Sequence, residues 1–71
     1  MIRKISIGPD YKNAMVYSVG QEFGNITIHA IRKEGPSHYN IFVINRLNEI
    51  SVWKEIIGMP VVVEKDIHAF S

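Results

Sequence analysis

Four aromatic side chains, Tyr11, Tyr17, Tyr39 and Trp53, are interspersed with the cations Arg3, Lys12, Arg32, Lys33, Arg46 and Lys54. Aromatic faces stack on planar rings while arginine and lysine hold phosphates, so this set suits a nucleotide-like ligand or single-stranded nucleic acid. Two loops concentrate it. Gly8-Pro9-Asp10-Tyr11-Lys12 and Gly35-Pro36-Ser37-His38-Tyr39 each set an aromatic residue just after a rigid turn. Arg32 and Lys33 precede the second loop and make it the denser cluster. The candidate ligand-binding residues are therefore Tyr11, Lys12, Arg32, Lys33, His38 and Tyr39. A plainer account stands beside this one: Gly-Pro turns, tyrosines covering core edges and solvated cations give the same pattern.

Catalytic signatures are missing. The chain has no Gly-rich phosphate loop with lysine, no Gly-x-Ser-x-Gly elbow, no His-Glu-x-x-His and no acid-rich calcium loop. His29, His38 and His68 are separated by 9 and 30 positions, which is not the spacing of metal ligands on a helix. Glu64, Asp66 and His68 would share one face of a strand, but a charged outer face explains them equally well. A domain of this size rarely encloses a pocket that could separate the pKa values of paired carboxylates. The expectation is a binding protein and not an enzyme, with no metal and no cofactor. Asn25-Ile26-Thr27 matches the N-glycosylation acceptor but carries no weight without a secretory leader.

The elements that must position these residues are short, because glycine and proline punctuate the chain at Gly8-Pro9, Gly20, Gly24-Asn25, Gly35-Pro36 and Gly58-Met59-Pro60. Ile5-Ser6-Ile7 and Ile26-Thr27-Ile28-His29-Ala30 alternate apolar and polar residues, the period of a strand with one buried face. Tyr39 to Leu47 is rich in β-branched and aromatic residues and apolar on both faces at its middle, as a central strand is. Val61 to Phe70 repeats that character after Pro60. Asn48 to Ile57 reads two ways. As a helix it has an Asn48 cap and a Gly58 stop; as a strand it follows a hairpin turn over Asn45 to Glu49. The strand is favoured, since Ser51-Val52-Trp53 is poor helix material. After Pro9, residues 10–16 predict a short helix or ordered loop. The expected fold is mainly β, a small bent antiparallel sheet or SH3-like barrel of five to six short strands. The alternative is α+β with a helix at 48–57.

Seventy-one residues make a single domain, 1–71, and 46% hydrophobic with 21% charged residues make it globular. Eight basic and seven acidic residues leave a net charge of +1, far from the balance of a general nucleic-acid binder. Zero cysteines exclude disulfides and thiolate sites, so the core or a partner must hold the fold. The apolar run Ile41 to Ile44 is four residues, against about 20 for a membrane helix. No secretory leader follows Arg3 and Lys4, so a cytoplasmic protein is expected. Ile31, Phe42, Ile44, Trp53 and Val62 read as outer positions, more apolar surface than one small core absorbs. A homo-oligomer is expected, with Phe42, Ile44 and Trp53 at its interface. Trp53 itself is expected to be buried, in the core or between chains.

The opening Ile5-Ser6-Ile7-Gly8-Pro9-Asp10-Tyr11-Lys12-Asn13-Ala14-Met15, the Val19-Gly20-Gln21 turn, and the later Val52-Trp53-Lys54 and Met59-Pro60-Val61 together resemble the small accessory proteins of large T-even-like tailed phages. Such proteins act by binding: they inhibit a host enzyme, redirect transcription or neutralise a defence system, in some families by sequestering a cyclic nucleotide. The resemblance implies a host-takeover or anti-defence role in the cytoplasm of the host cell. Joined to the aromatic and basic loops, it gives a first expectation of a non-enzymatic protein that captures a small, cyclic-nucleotide-like signalling molecule. A protein–protein inhibitor of a host factor is the second reading, and a nucleic-acid-binding barrel the third.

Overall fold

A computed structural model describes residues 1–9 and 12–66. In chain order there are seven strands: β1 (Ile2–Ile7), β2 (Met15–Ser18), β3 (Glu22–Phe23), β4 (Ile26–Gly35), β5 (His38–Asn45), β6 (Ile50–Ile57) and β7 (Val61–Lys65). All pair antiparallel in one sheet, ordered β2-β1-β4-β5-β6, with β3 on β4 and β7 on β1. The sheet curls into a half-barrel, so the mainly-β expectation holds. The strands number seven against the five to six expected, and the two-residue β3 has too little pattern to be read from sequence.

Alternation explains the second half of β1, where Ile5 and Ile7 are buried while Ser6 between them is half-buried. It fails within β4, where Ile28 and Ile31 are both buried although three positions apart. The register supplies the reason. Ile28 faces Val43 and Ala30 faces Phe42, so His29 is an extra residue that reverses the inward phase of the residues beyond it. Ile31, read as an outer position, is thereby moved into the core at 3% exposure. A matching bulge lies on the other side of β5. Ile41 faces Lys54 and Phe42 faces Val52, leaving Trp53 as the extra residue on β6.

Residues 50–57 are strand, and the 48–57 helix is not formed. The turn before β6 decides this locally. The Asn45 carbonyl accepts the Asn48 N–H at 3.0 Å, and the Asn45 side-chain Oδ1 accepts the N–H groups of Leu47 and Glu49 at 2.8 and 3.0 Å. Asn48 then takes φ 63°, the left-handed conformation that closes a three-residue hairpin loop. Asparagine tolerates it; a β-branched residue does not. In the 10–16 segment no described residue is helical: Lys12 and Asn13 turn, and Met15 already belongs to β2. Of the short helix or ordered loop expected there, the described residues show a turn at 12–13, with Asp10 and Tyr11 outside the described residues. Gly8 makes that turn close, since a Cβ at this φ of 143° would meet the Ala14 Cα at 3.0 Å.

The core is built chiefly from isoleucine: Ile2, Ile5, Ile7, Ile28, Ile31, Ile41 and Ile56, with Val43, Tyr17 and Tyr39. Among the described residues no helix is long and apolar enough to cross a membrane. Ile41, fully buried on the central strand, is the sharpest test of this packing. Ile41→Ala costs about 2–5 kcal/mol of unfolding free energy, read by urea denaturation. At the hairpin, Asn48→Val destabilises by about 1–2 kcal/mol while Asn48→Gly does not, by the same measurement.

Candidate functional site

β1 and β4 pair through Ile2 and Ile31, and β7 runs along β1 so that Lys65 faces Ile2. So short a ladder leaves the sheet open at the seam, and an open groove of about 540 Å³ lies over it. Ile2, Ile31 and Val63 give it apolar walls, and Arg32, Lys33 and Lys65 bring cationic side chains. Three cations face one carboxylate, Glu34. That volume lies within the range of small-molecule sites, as does the pairing of apolar walls with a few charged groups.

The backbone explains how the adjacent Lys33 and Glu34 can share the groove. Lys33 faces Tyr39 and Gly35 faces His38, so Glu34 is an extra residue at a third bulge, just before the Gly35-Pro36 turn. Lys33 Nζ stands 5.9 Å from the centre of the Tyr39 ring, within reach of a cation–π contact. Among the described residues no carboxylate is ion-paired with Arg32, Lys33 or Lys65, while Arg3 is paired with Glu64.

Arg32, Lys33 and Tyr39, three of the six expected ligand residues, meet at this groove. Tyr39 takes a different part from the one expected. At 8% exposure its ring belongs to the core, and little of it is left to a ligand. His38 turns elsewhere, its Nε2 lying 3.0 Å from the Glu55 Oε2 across the β5–β6 ladder. Lys12 sits in the turn before β2, outside the groove lining, and Tyr11 lies outside the described residues. Lys65, Glu34, Ile2 and Val63 were not singled out from the sequence. The contribution of Lys65 and Val63 depends on β7 pairing with β1, for which the sequence carries no local signal.

The expected interface trio also divides. Phe42 and Ile44 lie on the outer face, cross-strand from Val52 and Ile50. Trp53 lies on the inner side, as does Ser51 opposite the buried Val43, and its ring lies 5.5 Å from Tyr17 and 4.9 Å from Phe23, with Lys54 Nζ 4.7 Å away. It is half-buried within its own chain, packed on the core. Of the suggested Glu64, Asp66 and His68 face, His68 lies outside the described residues. Among those described, no group of three His, Asp or Glu side chains could hold a metal ion.

No family model matches the chain, and no curated protein or solved structure matches it. The local chemistry therefore rests on the residues themselves. One is anomalous: Asn40, the buried polar residue of β5, has an Oδ1 with no hydrogen-bond partner among the described residues, while its Nδ2 makes a long 3.4 Å contact to Glu34. A buried unsatisfied acceptor costs about 1–3 kcal/mol. Asn40→Val removes it on a central strand that favours β-branched residues. The expected outcome is a gain of about 1 kcal/mol in chemical denaturation.

Proposed function

We propose that this chain is a non-enzymatic binding protein that holds a small nucleotide-like anion in the β1–β4 groove. The observation that carries this reading is the convergence of Arg32, Lys33 and Lys65 beside the Ile2, Ile31 and Val63 walls. Phosphate oxygens are held by guanidinium and ammonium groups, and a ring rests on aliphatic side chains beside Tyr39. Glu34 adds an acceptor suited to a sugar hydroxyl or an exocyclic amine. In the phage setting that the sequence resembles, such binding sequesters a linear or cyclic nucleotide signal and blunts host defence. Stacking between two tyrosines, the arrangement suggested by the paired loops, is no part of this proposal.

Native mass spectrometry and calorimetry with a panel of linear and cyclic nucleotides test the reading. A discrete adduct is expected, and Arg32→Ala and Lys65→Ala each weaken it by about tenfold or more, the loss of one charge-assisted hydrogen bond. Both side chains are solvent-exposed, so the thermal midpoint should barely move. Binding left unchanged in both variants, or no adduct with any nucleotide, would overturn the proposal.

A further inference from the structure

Strand β6 ends the ladder path: it pairs with β5, and no described strand pairs with its other side. One bond fixes which backbone groups that side presents. The Asn45 N–H donates to the Glu49 carbonyl at 3.0 Å, so these two residues form a hydrogen-bonded pair. Bonded and non-bonded pairs alternate along an antiparallel ladder. Val43 and Ser51 are then a bonded pair, whereas Ile44 with Ile50 and Phe42 with Val52 are not. The N–H and C=O groups of Ile50 and Val52 therefore point away from β5. Their side chains are exposed at 53% and 52% and continue the outer apolar row of Phe42 and Ile44. From Glu49 to Val52 this edge has no proline or lysine of the kind that usually prevents edge-to-edge pairing.

We infer that the β6 edge joins two copies of this chain, pairing antiparallel about a two-fold axis at Ser51, with Ile50 of each opposite Val52 of the other. This register lets both outward-facing residues of each copy exchange hydrogen bonds with their counterparts. It also sets Glu49 of one copy opposite Trp53 and beside Lys54 of the other, on both sides of the axis. Charge is complementary there. Sliding the register by two in one direction sets Val52 against Asn48, whose left-handed backbone cannot extend the ladder. Sliding it the other way sets apolar Ile50 against Lys54. Within one chain Glu49 and Lys54 are about 17 Å apart at the rise of a strand, so their attraction acts between copies. None of the groove residues belongs to β6, and this inference stands apart from the ligand reading.

Sedimentation velocity is the test. The native chain is expected at twice its 8.1 kDa mass at about 100 μM, and Val52→Lys at the single mass with an unchanged far-UV circular dichroism spectrum. Glu49→Lys and Lys54→Glu should each weaken the dimer at least tenfold, and the double variant should restore it. That recovery distinguishes charge pairing between chains from damage to the hairpin. A native chain that stays at single mass, a dimer indifferent to Val52→Lys, or a double variant as weak as the single ones would overturn the inference.

Discussion

Two extra residues, His29 on β4 and Trp53 on β6, lie either side of the central strand β5 at nearly the same level, beside Ile41, Phe42 and Val43. A bulge bends its strand and increases the local twist, so a pair flanking one strand makes the sheet fold around it. Without that bend the seven strands would present a flatter sheet, with too little interior to bury ten side chains. Each bulge also reverses the inward and outward sense of the residues beyond it. His29 sends Ile31 into the core, and the extra residue Trp53 does the same for Ile56.

The groove depends on the same curvature. Ile2 and Ile31 meet where the ends of β1 and β4 approach, and their ladder is too short to close the sheet over the cations on either side. Arg32 and Lys33 enter from β4 and Lys65 from β7, elements far apart in the chain. Like charges repel across such a site, and an anion relieves that repulsion. The near-neutral whole chain is compatible with this local excess, because Glu49, Glu55 and Glu64 are engaged by the hairpin, His38 and Arg3 respectively.

On the opposite side of the sheet the balance differs. Phe42 and Ile44 on the central strand are half-covered by their neighbours, while Ile50 and Val52 at the edge are not. The apolar row thus becomes more exposed toward β6, whose far side pairs with no described strand. Backbone pairing and apolar burial then favour the same partner geometry, which neither feature alone specifies.

Local pattern made much of this protein legible. The Gly-Pro and Asn-rich turns, the alternation of β1, the β-branched content of β5 and β6, and the cluster at Arg32, Lys33 and Tyr39 follow from properties of neighbouring residues, and these act whatever the rest of the chain does. Tertiary structure alone decided the rest. A bulge is defined by two strands together, so no pattern within β4 or β6 announces that His29 or Trp53 is the extra residue. For that reason Ile31 read as an outer position. The pairing of β7 with β1, which brings Lys65 to the groove, joins the two ends of the chain, and alternation fixes which face a strand buries but not which strand lies beside it.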